Sequence, residues 1–194
     1  MSKDATRQLL LDIGTRLMLE TGYAGTGIQA ILHEAGVPKG SFYHHFASKE
    51  DFAFDIIDAY FADHQRLLDR YLNDGSVSPL TRLRCYFEAN IAAYAAQGYR
   101  NGCLVGMLSQ EMADQSETFR ARLRDIFARW RDRFAVCLIQ AQAAEEISAH
   151  LDVPTIAAFT LDSWEGALLQ MKVRKSAEPL HAFVAVLFDV VLTR

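Results

Sequence analysis

Between Thr26 and Lys49 the chain reads Thr-Gly-Ile-Gln-Ala-Ile-Leu-His-Glu-Ala-Gly-Val-Pro-Lys-Gly-Ser-Phe-Tyr-His-His-Phe-Ala-Ser-Lys, and this run narrows the possible folds more than any other. Ile28, Ile31 and Leu32 recur at the spacing of one helical face. Gly36 stops that helix, because so tight a turn needs a residue that tolerates left-handed backbone. Pro38 falls where a first helical turn accepts proline, since its missing N–H has no intrahelical partner there. Phe42 and Phe46, four apart, turn a second short helix toward a core and leave Lys39, Gly40, Ser41, Tyr43, His44 and His45 pointing elsewhere. The pattern is a helix-turn-helix whose second helix is furnished for a DNA groove. Lys39 suits a phosphate or a guanine edge, and Gly40 lets the backbone approach. Ser41, Tyr43 and His44 supply donors. A helical hairpin with a merely polar face is the plainer reading. The coincidence of turn, proline, small residues and aromatic spacing weighs against it.

The same segment resembles the amino-terminal signature of TetR-family transcriptional regulators. The resemblance rests on Gly22-Tyr23, Thr26, Ala35-Gly36-Val37, Phe42-Tyr43-His44-His45-Phe46 and Ser48-Lys49-Glu50. It is close over about the first fifty residues and looser, through helix order and length, beyond them. It implies an all-α protein of about nine helices, with a three-helix helix-turn-helix domain over residues 1–50 and an effector-sensing and dimerisation domain over 51–194. It also implies a homodimer that represses transcription from a double-stranded, palindromic operator and leaves it when a small molecule binds. Carried over, the DNA contacts are Thr26, Gly27 and Gln29 on the second helix, Lys39, Gly40, Ser41, Tyr43 and His44 on the third, and Lys49 at a phosphate. Two residues depart from the pattern. Gly27 stands where a hydroxyl residue is common, and Gly14 where the first helix usually has alanine. The latter costs about 1 kcal/mol of helix propensity unless it permits closer packing.

The chain has 194 residues, 51% of them hydrophobic, and a net charge of −4. Residues 1–50 carry five Lys/Arg and five Asp/Glu, so the negative balance lies in 51–194. Affinity for DNA therefore has to come from a local patch, doubled in a dimer, and to depend steeply on salt. No apolar stretch has the length to cross a bilayer. Asp12, Arg16 and Glu20 interrupt the apolar residues that a signal peptide would need. A cytoplasmic protein without membrane contact is expected. Cys85, Cys103 and Cys137 fit neither a disulfide framework nor a zinc motif, and no metal or cofactor is expected.

Past residue 50 the sequence predicts long amphipathic helices. Helix 4 opens with Ser48 as cap and runs to about Leu72. Helix 5 covers about 79–97 and helix 7 about 117–145. Helix 8 ends near Lys175 and helix 9 spans about 178–193. Arginines on the outer face of helix 7 read as a solvated face paired with acids. Two consecutive apolar helices at the carboxy terminus suggest a four-helix dimer interface, as the resemblance implies.

Gly102-Cys103-Leu104, followed by Leu108-Ser109-Gln110-Glu111, resembles the electrophile-responsive subgroup of these regulators, in which this cysteine senses N-ethylmaleimide, quinones and reactive aldehydes. The resemblance places Lys172 near that thiol. A buried cysteine acting as a small hydrophobe is the plainer alternative. A reversible ligand among Phe61, Phe87, Tyr94, Met107, Trp130, Trp164 and Met171 is the second route, although such residues are more often plain core. Two other classes compete with the regulator. One is a Cys103-dependent enzyme using His150 or His181 as base, for which no nucleophile motif exists. The other is a helical dimerisation module that does not read DNA.

Overall fold

The computed structural model describes residues 2–193, and every regular element among them is helical. α1 spans Lys3–Gly25, α2 Ile28–Ala35, α3 Lys39–His45, α4 Lys49–Leu72 and α5 Pro79–Ala96. They are followed by α6 (Leu104–Met112), α7 (Glu117–Ala143), α8 (Val153–Arg174) and α9 (Glu178–Val186), after which Leu187–Val191 widens into a π-helical turn. This is the all-α order expected from the sequence. The chain gathers into two compact units. One holds the residues up to Asp63 together with Leu104–Arg120, and the other holds His64–Cys103 together with Ala121 onward. α6 thus belongs with the helix-turn-helix, an association that chain order conceals.

In the first unit, Leu10, Leu11, Ile13 and Met18 of α1 are buried, as are Ile31 and Leu32 of α2 and Phe52, Ile56 and Ile57 of α4. Phe42 and Phe46 are also buried, their ring centroids 5.2 Å apart and 5.1 and 4.7 Å from Phe52. Their four-residue spacing therefore faces α3 inward, as the sequence predicts. Gly14 has a packing reason. A Cβ there would lie 2.6 Å from Phe52 Cε1 and 2.7 Å from Ile56 Cδ1, so the buried Phe52 ring and the Ile56 tip fill the space a side chain at 14 would take. α1 begins on a Ser2 cap and runs to Gly25, with a break at Gly22 (φ 76°). Ser48 caps α4 by accepting from Asp51 N–H at 3.0 Å, while its hydroxyl donates to Asp51 Oδ2 at 2.8 Å. That is a variant of the capping box, in which the carboxylate takes the cap's hydroxyl instead of its backbone N–H.

In the second unit, α5 runs through the centre. Ser78 caps it and Pro79 occupies its first turn. Phe87 has ring neighbours Phe134 of α7, Trp164 of α8 and Phe183 of α9 at centroid distances of 5.6, 4.9 and 5.0 Å. The α7 arginines behave as a solvated face. Arg124 pairs with Asp125 at 3.3 Å and Arg133 with Asp69 at 2.5 Å, while Arg120 pairs with Glu117.

Candidate DNA interface and sensing residues

α2 and α3 meet at Gly36, whose left-handed backbone (φ 64°, ψ 31°) lets its N–H reach the last carbonyls of α2. This turn presents Gln29, Lys39, Gly40, Tyr43 and His44 to solvent, with Ser41 half-buried beside them. The Lys39 ammonium lies 5.8 Å from the Tyr43 ring centroid, and Tyr43 is 49% exposed. A Cβ on Gly40 or on Gly27 would meet nothing within 4 Å. Internal packing therefore does not require glycine at either position, and the open space lies on the outer face of α2 and α3. Gly27 caps α2 without a side-chain hydrogen bond, so the hydroxyl missing from its sequence is missing from the surface as well.

Thr26 departs from its expected role. It is 1% exposed, its hydroxyl donates to the Gly22 carbonyl at 2.7 Å, and the Thr21 hydroxyl lies 3.1 Å away. It holds the α1–α2 junction together and offers no surface to an outside molecule. Lys49 is half-buried with its Nζ 4.4 Å from the Tyr23 ring centroid. Burial lowers its ammonium, and Glu111 works in the opposite direction. Arg7 pairs with Asp55 at 2.8 Å and lies over the Phe46 ring at 5.5 Å, with 42% of its side chain still exposed.

α6 contributes a feature the sequence did not reveal. Glu111 accepts from Tyr23 N–H (Oε2, 2.7 Å) and from Ala24 N–H (Oε1, 2.6 Å), just past the break at Gly22. Positive φ at Gly22 turns both amides toward one side, where a single carboxylate takes them together, as an anion at a freed helix turn does. Ser116 donates to Glu50 at 3.0 Å, and Phe119 packs edge-on to Tyr23 at 5.1 Å. No periodicity could announce this contact, because its partners lie 88 residues apart.

In the second unit, Cys103 is buried and immediately precedes α6. Its thiol donates to the carboxyl of Glu165 on α8, and burial raises that carboxyl to about 7, with Asp162 adding to the rise. Burial also raises the phenols of Tyr86 and Tyr94, with Cys103 and Glu165 contributing. His64 Nε2 lies 2.6 Å from the Tyr86 hydroxyl, and burial lowers the imidazole to about 4, so it is neutral at physiological pH. Lys172 is half-buried, seven residues from Glu165 and on the same face of α8. Sequence reasoning passed over Glu165 and His64. The signal for Glu165 was an acid set between Trp164 and Gly166, on the stripe of α8 that carries Trp164, Leu168 and Met171. The other cysteines differ. Cys137 is buried, donates to the Pro79 carbonyl at 3.1 Å and is raised by burial to about 11; Cys85 is half-buried. Of the residues expected to line a ligand pocket, Phe87, Tyr94, Trp130, Trp164 and Met171 belong to this unit, and Phe61 and Met107 to the other. Phe87, Trp130, Trp164 and Met171 are buried and form part of the packed interior. Among the described residues no cluster of three or more His, Cys, Asp or Glu gathers as a metal site, and no helix is long and apolar enough to cross a membrane.

Comparison with known proteins decides the family. The sequence model for bacterial regulatory proteins of the tetR family matches residues 10–56, and that for the tetracyclin repressor-like C-terminal domain matches residues 79–187. The chain belongs to the TetR family. It is 40% identical over 192 residues to the HTH-type transcriptional repressor DhaR of Mycobacterium sp. strain GP1, covering 99% of this chain and 95% of that one. It is 33% identical over 194 residues to the transcriptional repressor NemR of Escherichia coli K12, covering 97% and 94%. A solved regulatory protein TetR from Rhodobacter sphaeroides superposes with a TM-score of 0.90 at 41% identity, covering 94% of this chain and 96% of that one. Like its relatives, this TetR-family protein is a helix-turn-helix transcriptional regulator and not an enzyme.

Proposed function

We propose that this regulator is a homodimeric, cytoplasmic repressor that reads a palindromic operator with α3 and is released by a small molecule at Cys103. The outer face of α3 carries the DNA half of this reading. From Gly36 to Lys49 the chain has two lysines, two histidines and no acid, its exposed Gly40 is not required by internal packing, and Tyr43 leaves half its surface to solvent. Lys39, Gly40, Ser41, Tyr43 and His44, with Gln29 and Gly27 of α2, are the contacts. Lys49 reaches a phosphate by giving up its place over Tyr23.

Dimerisation through α8 and α9 is supported by Phe159, Val173, Val186 and Val190, each between 44% and 74% exposed. Phe159 and Val186 line an apolar groove of about 280 Å³ between the two helices. Two copies joined on this face would form a four-helix interface and set two α3 helices one turn of DNA apart.

Sensing at Cys103 is supported by the hydrogen-bonded Glu165, which at neutral pH is poised to take the thiol proton as the sulfur bonds to an electrophile. The test begins with a 30-base-pair duplex selected from a randomised library against the wild-type protein. Anisotropy titrations are then run before and after N-ethylmaleimide, with Cys103→Ser in parallel. Alkylation is expected to release the wild type and leave the variant bound. If both stay bound, sensing passes to a reversible ligand of the second unit. If Lys39→Ala/Tyr43→Ala keeps full sequence preference, the assignment of α3 fails.

A further inference from the structure

We propose that the first turn of α1 is an additional DNA-contacting element, with Lys3 completing a seat for a backbone phosphate against Ser41, His44 and His45 of α3. This rests on the operator-binding reading above. It extends that reading to the first turn of α1.

The seat is an open cleft of about 510 Å³ between α1 and α3. Lys3 and Thr6 form one wall, and Gly40, Ser41, His44 and His45 belong to the other. Lys3 is exposed at the start of a helix already capped by Ser2, so its side chain has no part in holding that helix. Arg7, one turn on, would be the more obvious phosphate ligand, but its guanidinium is committed to Asp55 and the Phe46 ring. Thr6 acts as wall only, because its hydroxyl donates to the Ser2 carbonyl at 3.1 Å.

Charge in the cleft is positive on balance. After burial, the charges of His44, Lys3 and Arg7 lower the His45 imidazole, and Asp4 alone works against them. A phosphate relieves that crowding, since it gives the ammonium and both imidazoles a common acceptor. The cleft also adjoins the exposed face of α3, so a duplex lying on Lys39 and Tyr43 runs its backbone past Lys3. Such a contact fixes register without reading sequence.

The experiment uses the full-length protein and the selected 30-base-pair duplex, with a scrambled duplex alongside. Binding of wild type, Lys3→Ala and Lys3→Arg is measured from 50 to 300 mM KCl. Each phosphate neutralised contributes about 0.9 to the slope of log K against log salt, so losing one contact per protomer lowers a dimer's slope by about 2. Lys3→Ala should show that loss and bind roughly 10-fold more weakly on both duplexes, with an unchanged melting temperature. Lys3→Arg should restore slope and affinity. An unchanged slope in Lys3→Ala overturns the inference while leaving α3 as the reader. A wild type that does not prefer the selected duplex over the scrambled one overturns the operator reading and this inference with it.

Discussion

Glu111 should stabilise the junction that leads into the helix-turn-helix by about 2 kcal/mol, although it lies 88 residues from Tyr23. Its carboxylate accepts two backbone hydrogen bonds, at 2.7 and 2.6 Å. A hydrogen bond to a charged acceptor is worth about 1.5–3 kcal/mol net. Tyr23 is half-buried and should retain about 1.5 kcal/mol of that, while Ala24 is exposed, so water replaces most of the other bond and leaves about 0.5 kcal/mol. For a chain of this length the sum corresponds to a fall of roughly 4–8 °C in Glu111→Ala. Glu111→Gln should lose nearly as much, because its NH2 would face the second N–H donor. Gly22→Ala adds a check on the geometry. Its backbone (φ 76°, ψ −178°) lies in a region essentially reserved for glycine and costs alanine about 2 kcal/mol, and the new Cβ would stand 2.6 Å from Glu111 Oε2, displacing the carboxylate. Gly22→Ala alone should therefore cost about 4 kcal/mol, and the double variant about 4 as well, well short of the additive 6. Urea and thermal melts at one fixed protein concentration supply all four corners of the cycle. Additivity within about 0.5 kcal/mol would show that Gly22 and Glu111 act independently and refute the argument.

Gly14→Ala should destabilise by roughly 1–3 kcal/mol despite alanine's better helix propensity, because its Cβ collides with Phe52 and Ile56; a raised melting temperature would contradict this. Burial of Glu165 gives stability that is present below about pH 4.3 and lost as pH rises through about 7; neutral His64 gives stability that is present above about pH 6.5 and lost as pH falls through about 4. These slopes oppose each other between about pH 4.5 and 6.5, so Glu165→Gln should be about 3 kcal/mol more stable than wild type at pH 8, with the gap closing below pH 4.5. Urea melts at pH 4.3 and 8 check it, and an equal gap at both would refute the burial argument. Cys137, raised to about 11, should resist N-ethylmaleimide in the native protein at pH 7.5, read by peptide mass mapping, and label only on unfolding.

The turn at Gly36, the inward Phe42 and Phe46 and the cap at Ser48 were legible in the sequence because each is decided within five residues. Helix order was legible for the same reason, since punctuation by Pro79, Pro154 and Pro179 is local. Thr26 misled because a threonine at a helix start caps or contacts equally well, and only its burial against Gly22 and Thr21 separates the two. Gly14 was ambiguous for want of the neighbour that explains it, Phe52, which lies far along the chain. The Glu111–Tyr23 and Cys103–Glu165 contacts join residues that no local spacing connects. Arg7 and Lys3 look equivalent in sequence, and the ion pair to Asp55 and the Phe46 ring separate the partnered cation from the exposed one.

With Thr26 withdrawn into the interior and α3 only seven residues long, little text can be read per protomer. Three or four side chains reaching base edges distinguish about four base pairs. A word of that length recurs by chance every few hundred base pairs, so one protomer carries almost no address. In the proposed dimer two copies would spell about eight, which recurs roughly once in 65,000 base pairs and would leave tens of chance matches in a bacterial genome. That figure already holds the interval between the two words fixed; each further separation allowed would add as many chance matches again, so the address survives only while the spacing is rigid.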